Sequence, residues 1–131
     1  MKKLIPILLS VLMLTGCAGA SNNHTNTYRS IAMDEAVTMM AQETGYINLD
    51  VRRPDEYAAG HIPNAINVPN ETIGTADILE LPDKDQLIMV YCRSGRRSKE
   101  ASEKLVKLGY TNIVEFGGIL DWKGETVTGQ K

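Results

Sequence analysis

Cys92 is followed in the sequence by an unusual number of positively charged residues. Three arginines, Arg93, Arg96 and Arg97, follow it within five residues in the stretch YCRSGRRS. The thiolate is the nucleophilic form of cysteine, and nearby cations and backbone N–H groups stabilise its negative charge. The stretch therefore predicts a reactive cysteine in a cradle that could also bind a small oxyanion.

A strand and a helix must flank this stretch if it is to work in that way. Residues 87–91 are five consecutive apolar residues, which is typical of a central strand buried on both faces. Helical spacing of apolar residues runs from Ser98 to Leu108, and Gly109 predicts a helix stop. A loop that enters a helix N-terminus points several N–H groups at one place, where the helix dipole adds positive charge. We therefore expect Cys92 at the mouth of an anion-binding loop.

The alternative is a buried core cysteine that is followed by a solvated helix start. Cysteine is one of the most frequently buried residue types, so this alternative applies to many cysteines. Arginine in the first turn of a helix opposes the helix dipole, however, and this favours an anion or a thiolate as its partner.

The remaining pattern predicts an α/β domain. A helix is expected over 33–41, strands over 46–51, 65–68 and 112–116, and a short helical turn over 119–123, where Trp122 can anchor to the core. Alternating strands and helices favour a central parallel sheet with helices on both faces. Ligand sites in such sheets lie at the carboxyl ends of strands, which would bring Asp50 and Arg52 close to Cys92.

The first 16 residues predict an export signal. Lys2 and Lys3 precede an apolar run of eleven residues, which at about 1.5 Å per residue is too short to cross a hydrocarbon core of about 30 Å. The ending Leu-Thr-Gly-Cys17 resembles the lipobox of bacterial lipoproteins, whose cysteine is lipidated; an ordinary secretory signal is the alternative. We expect a signal peptide over 1–16, a lipidated flexible tether over 17–27 and a domain over 28–131. The protein would then be anchored to a bacterial membrane and face the periplasm or the exterior.

Composition limits the function classes. The chain has 131 residues, 43% of them hydrophobic and 23% charged, as expected of one ordinary globular domain. Lipidation of Cys17 would leave Cys92 as the only thiol and would exclude an intramolecular disulfide. Removal of Lys2 and Lys3 leaves 12 basic and 16 acidic residues, a net charge near −4, which argues against nucleic-acid binding. We expect a monomer.

Four stretches in order resemble the single-domain rhodanese family of sulfurtransferases, and the resemblance covers residues 28–123. They are LDVR at 49–52 with Glu56-Tyr57, GHIPNAINVP at 60–69, YCRSGRRS at 91–98, and Gly117-Gly118 with Trp122. One such motif is weak by itself, and the four together are specific.

The resemblance implies a rhodanese-like fold and a sulfurtransferase. Cys92 would take a sulfane sulfur from thiosulfate or a polysulfide, become a persulfide, and pass the sulfur to cyanide or a thiol acceptor. No metal and no organic cofactor would be needed. The loop that binds the substrate and the persulfide would consist of Arg93, Ser94, Gly95, Arg96, Arg97 and Ser98.

The resemblance also suggests supporting residues. Asp50 and Arg52 match an Asp-x-Arg element that holds the active loop, with a surface ion pair as the alternative. His61 and Glu56 are expected to be framework residues. Some two-domain members that use thiosulfate carry a basic residue near the position of Glu56, so its acidity argues against a preference for thiosulfate.

Three other functions are compatible with a reactive cysteine in this fold. Phosphatases and arsenate reductases resemble Cys-x5-Arg, but the sixth residue after Cys92 is Ser98 and the last arginine is Arg97, one position earlier. A non-enzymatic module would bind a sulfur species or a partner without turnover. A redox sensor would oxidise the lone thiol, although it would have no resolving cysteine within the chain.

Overall fold

The computed structural model describes residues 27–130. The predicted signal peptide, Cys17 and nearly all of the predicted tether lie outside the described residues. The elements are β1 (Arg29–Ser30), α1 (Met33–Gln42), β2 (Ile47–Asp50), α2 (Pro54–Ala59), β3 (Ile66–Asn67), β4 (Ile88–Cys92), α3 (Arg96–Lys107) and β5 (Ile113–Gly118), with short 3-10 turns at Asn70–Thr72 and Ile119–Asp121. Over the described range, no helix is both long and apolar enough to cross a membrane.

The sheet is parallel and has the order β1-β5-β4-β2-β3. The apolar run at 87–91 predicts a central strand, and β4 does lie between β5 and β2 with all five of its residues buried. The carboxyl ends of β2 and β4 are neighbours, since Asp50 pairs in register with Tyr91. This placement brings Asp50 and Arg52 to the same edge of the sheet as Cys92.

Helices cover both faces of the sheet, as the alternation of elements predicts. On one face, Ile88, Val90 and Cys92 of β4 pack with Ala101 and Leu105 of α3. The other face packs against α1 and α2, with these buried residues: Ala36, Tyr57, Met89, Tyr91 and Phe116. The half-buried ring of Trp122 also packs on this second face, as predicted. Cys92 therefore points to the side of the sheet that α3 covers.

The largest departure from the sequence prediction is α2. The sequence pattern predicts no helix between the strands at 46–51 and 65–68, whereas Pro54 begins a helix there, with proline in its first turn. The side chain of Glu56 accepts a hydrogen bond from the backbone N–H of Arg53 at 3.4 Å and so caps this end of α2. In addition, α3 begins at Arg96, two residues before the predicted start, because Gly95 turns the chain directly into the helix.

Candidate active site

Cys92 is the last residue of β4, and the loop that follows it is folded against the end of β5. Gly95 has a φ of 119°, a left-handed conformation that favours glycine, and its N–H donates to Cys92 Sγ at 2.9 Å. A Cβ atom on Gly118 would overlap the carbonyl group of Arg93. The two glycines thus allow the tight path that aims a backbone N–H at the sulfur atom.

The sulfur atom lies between this backbone donor and a buried hydroxyl. Cys92 is only 1% exposed, and its S–H donates to Ser98 Oγ at 3.5 Å. Ser98 is fully buried in the first turn of α3, two residues inside the helix. The predicted arrangement, in which a strand delivers a cysteine to a helix N-terminus, is therefore present.

The three arginines of the loop have different surroundings. Arg97 forms a bidentate ion pair with Glu56 of α2, with Nη1–Oε1 and Nη2–Oε2 distances of 2.6 and 3.0 Å. The hydrogen bond from Arg97 lowers the pKa of Glu56, and the same bond raises the pKa of Arg97. Arg96 is 85% exposed and lies 3.9 Å from Glu100, and Arg93 is exposed. The cradle therefore has two arginines open to solvent and one whose charge is balanced by Glu56.

Asp50 and Arg52 form a buried ion pair, so the alternative of a surface pair is wrong. Asp50 is fully buried, Arg52 is 5% exposed, and Arg52 Nη2 lies 2.7 Å from Asp50 Oδ2. Burial acts to lower the pKa of Arg52, but the hydrogen bond and the charge of Asp50 outweigh it and raise that pKa. Arg52 Nη2 also donates to the carbonyl of Gly60 at 2.7 Å. This hydrogen bond joins the turn that follows α2 to the end of β2.

A second link ties the same turn to the strand that holds the cysteine. The backbone N–H of Ile62 donates to the hydroxyl of Tyr91 at 3.1 Å, and burial raises the pKa of Tyr91. His61 is 1% exposed, stacks on Tyr57 with ring centroids 3.7 Å apart, and places Nδ1 2.8 Å from the carbonyl oxygen of Tyr57. These contacts put His61 in the framework behind the site.

Glu115 is a buried charged residue of the site that the sequence interpretation missed. Its Oε1 atom accepts the hydroxyl of Ser98 at 2.7 Å, and it lies in β5 with 2% exposure. The sequence did contain a signal for this residue, an acidic side chain inside the apolar strand segment 113–116. Charged residues are rarely buried unless they have a specific partner. No group of three or more His, Cys, Asp or Glu side chains in residues 27–130 is placed to hold a metal ion.

Known proteins with similar sequences carry names from one class of enzyme. A family model described as "Rhodanese-like domain" matches residues 32–125. Thiosulfate sulfurtransferase PspE of Escherichia coli is 38% identical over 73 residues, which cover 56% of this chain and 70% of that protein. Thiosulfate sulfurtransferase GlpE of Pseudomonas entomophila is 33% identical over 107 residues, which cover 78% of this chain and 94% of that protein. These relatives support a sulfurtransferase activity in general.

Solved structures agree with the sequence matches. A rhodanese-like domain protein from Staphylococcus aureus superposes with a TM-score of 0.66 at 31% identity, covering 77% of this chain and 98% of that chain. A rhodanese with anions from E. coli superposes with a TM-score of 0.59 at 36% identity, covering 64% of this chain and 99% of that chain. Since the family model spans most of the chain and includes the loop after Cys92, the protein belongs to the rhodanese-like domain family.

Proposed function

We propose that the protein transfers sulfane sulfur through a persulfide on Cys92. The thiolate attacks the outer sulfur of thiosulfate, the sulfur–sulfur bond of the donor breaks, and sulfite leaves with the bonding electron pair. Cyanide or an acceptor thiolate then attacks the outer sulfur of the persulfide, and the Cys92 thiolate is regenerated. A polysulfide donor follows the same two displacements with a shorter polysulfide as the leaving group. The reaction needs no metal or organic cofactor.

The N–H group of Gly95 is the observation that carries this proposal. It lies 2.9 Å from Cys92 Sγ and donates to the sulfur atom, at the N-terminus of a 12-residue helix. Fixed donors of this kind stabilise a negative charge without reorganising during the reaction. The same donor would stabilise the thiolate before the first displacement and the anionic persulfide after it.

The exposed arginines support the capture of an anionic donor at the rim of the site. Arg93 and Arg96 flank the loop and are open to solvent, whereas Arg97 is paired with Glu56. Thiosulfate and polysulfides are both anions, so both fit this rim. The relatives named thiosulfate sulfurtransferase favour thiosulfate, and the acidity of Glu56 favours testing polysulfide beside it.

Intact-mass measurement tests the intermediate directly. After incubation with thiosulfate or polysulfide and removal of the excess donor, we expect an added mass of about 32 Da, one sulfur atom on a reactive thiolate. Cys92→Ser should show no such adduct, and cyanide should remove it from the unaltered protein with release of thiocyanate. Absence of the adduct with both donors would contradict the proposal.

Turnover separates an enzyme from a sulfur-binding module. Repeated release of thiocyanate, or of persulfide on an added thiol, at more than one equivalent per chain is expected of the enzyme. A single equivalent would indicate a carrier that loads and unloads once. Hydrolysis of an aryl phosphate that is lost in Cys92→Ser would instead indicate phosphatase chemistry.

We also propose that Cys17 carries a lipid that anchors the exported protein to the bacterial membrane. The support comes from the sequence: two lysines, a short apolar run, and the ending Leu-Thr-Gly before Cys17. In a bacterial host supplied with radiolabelled palmitate, the chain should take up label and sediment with membranes. Cys17→Ala should do neither, and label that persists in this variant would refute the anchor.

A further inference from the structure

Glu115 is a buried carboxyl group separated from the reacting sulfur atom by Ser98, which contacts both, and the two displacements do not use it. Its Oε2 atom accepts the hydroxyl of Ser30 at 2.6 Å, and its Oε1 atom accepts the N–H of Gly117 at 2.8 Å. Among residues 27–130, no basic side chain lies within ion-pair distance of Glu115. The group is therefore surrounded by neutral donors, which is unusual for a buried carboxylate.

Ser98 connects this carboxyl group to Cys92. Its Oγ atom lies 2.7 Å from Glu115 Oε1, 2.8 Å from the carbonyl oxygen of Gly95, and 3.5 Å from Cys92 Sγ. A serine hydroxyl has one proton to donate. If Glu115 is ionised, the hydroxyl proton of Ser98 can form a hydrogen bond in only one of two short contacts, either with Glu115 Oε1 or with the carbonyl oxygen of Gly95.

A proton on Glu115 would fill both short contacts. The carboxylic acid would then donate to Ser98 Oγ at 2.7 Å, and Ser98 would donate its own proton to Gly95 or to the sulfur. An acid and a hydroxyl together have two protons for these contacts. The arrangement around Ser98 therefore has a place for one more proton, and the thiol of Cys92 points to the same oxygen atom.

We propose that Glu115, acting through Ser98, takes up the proton that Cys92 releases when it becomes a thiolate. The S–H bond breaks and its electron pair stays on the sulfur; Ser98 Oγ receives this proton while its own proton passes to Glu115 Oε1. The number of charges is unchanged, because the negative charge moves from the carboxylate to the sulfur. The N–H of Gly95 at 2.9 Å then stabilises that charge.

This relay rests on the proposed function only in taking Cys92 as the reacting thiol. Cys92 is 1% exposed, so a route through Ser98 spares the thiol a direct transfer to bulk water. Glu115 touches Ser98 and no reacting atom, so it is a positioning residue and Ser98 is the group in contact with the sulfur. The relay runs backwards when the free enzyme returns to its thiol form.

The other charged groups near the two ends of the relay do not replace it. On the sulfur side, the pKa of Arg97 is raised mainly by its hydrogen bond to Glu56 and less by the charges of Cys92 and Asp50. Tyr28 faces the carboxyl side; its pKa is raised first by burial and then by the charges of Glu103 and Glu115. In the part of the chain that the structure describes, none of these side chains hydrogen-bonds to Ser98.

The pH profile of Cys92 alkylation tests the relay without any sulfur donor. The full chain is treated with iodoacetamide from about pH 4 to pH 10, and alkylation is followed by mass spectrometry of the peptide that contains Cys92. Two groups that share a proton titrate in two macroscopic steps. The rate for the unaltered protein should therefore rise to a plateau and then rise again.

Two variants should remove the first step. Glu115→Gln keeps the shape of the side chain but cannot take a proton, so a single step and about a tenfold or greater loss of rate at the plateau pH are expected. Ser98→Ala keeps the carboxylate but removes the hydroxyl that contacts both Glu115 and the sulfur, so the state with a protonated Glu115 and a thiolate loses these hydrogen bonds and the first step should be lost as well. Ser102→Ala is the matched control, because this buried serine of α3 donates to the backbone carbonyl of Ser98 at 2.7 Å and should keep both steps.

Three outcomes of the alkylation experiment would overturn the relay. A single step in the unaltered protein would do so, as would two steps that persist in Glu115→Gln. A single step that only moves to lower pH in Glu115→Gln would show that Glu115 is a charged neighbour and nothing more. If Glu115→Gln does not fold, Ser98→Ala against Ser102→Ala decides. Two steps without a persulfide adduct would count against the proposed function and not against the relay.

Discussion

Replacement of Gly118 by alanine should damage both the fold and the active loop. Gly118 ends β5 with a φ of −142°, an extended conformation that alanine also adopts without strain. The added Cβ would nevertheless overlap three backbone atoms, the carbonyl carbon and oxygen of Arg93 and the nitrogen of Ser94. Backbone atoms cannot rotate away as a flexible side chain can, so the whole loop has to move.

The size of the effect follows from this overlap. Restoring ordinary van der Waals contact requires the loop to retreat by about 1 Å or more, and a displacement of this size at a reacting group typically costs about 100-fold in rate. Overpacking of a buried site costs about 1–3 kcal/mol of stability. We therefore expect Gly118→Ala to lose about 1–3 kcal/mol of unfolding free energy and to form the Cys92 persulfide about 100-fold more slowly.

Urea unfolding followed by circular dichroism measures the change in unfolding free energy. Single-turnover mass measurement with thiosulfate measures the rate of persulfide formation. Gly74→Ala is the matched control, because nothing lies within 4 Å of a Cβ at that position and its φ does not require glycine. This control should be neutral or more stable by about 0.4–1 kcal/mol. If Gly118→Ala matched Gly74→Ala in stability and in persulfide formation, the tight path of the loop would not matter and the reasoning would be refuted.

Two further predictions concern the ion pairs around the site. Because the hydrogen bond from Arg97 lowers the pKa of Glu56, this pair stabilises the fold fully above the ordinary value of 4.5 and loses its contribution as the pH falls through the lowered pKa. The difference in urea midpoint between the unaltered protein and Glu56→Gln should therefore shrink in acid, and a constant difference would contradict the pairing. Asp50→Asn leaves the guanidinium of Arg52 buried without its carboxylate and should cost about 3–5 kcal/mol of unfolding free energy. Asp55→Asn makes the same change in an exposed pair with Arg53 and should leave stability unchanged, so equal losses in the two variants would argue against burial as the cause.

Local sequence patterns were sufficient to predict the central strand of the sheet and the helix that follows the active loop. The unbroken apolar run before Cys92 predicts a strand buried on both faces, and β4 occupies the centre of the sheet. The helical spacing after the loop predicts α3, whose last turn is followed by Gly109 with a φ of 95°. Both predictions depend on residues close together in the chain, which periodicity reports directly.

Contacts between distant parts of the chain could not be predicted in the same way. Glu56 and Arg97 are 41 residues apart, and Ser98 and Glu115 are 17 apart, so no periodicity connects either pair. The helix that holds Glu56 was missed because proline ends strands and also begins helices, and the sequence alone did not decide between these roles at Pro54. The missed contacts are therefore the ones that depend on how α2 and β5 pack around the loop.

In the proposed reaction, the backbone N–H of Gly95 and the exposed arginines of the loop have different tasks. The N–H of Gly95 is fixed 2.9 Å from a sulfur atom that water hardly reaches, so salt in solution screens this interaction little. Arg96 is 85% exposed, and charges in such positions are screened over about 8–10 Å at ordinary ionic strength. Added salt should consequently raise the KM for thiosulfate and leave kcat unchanged in steady-state assays of thiocyanate release. A fall in kcat at constant KM would show that the exposed arginines act on the sulfur itself, and the division of tasks would be wrong.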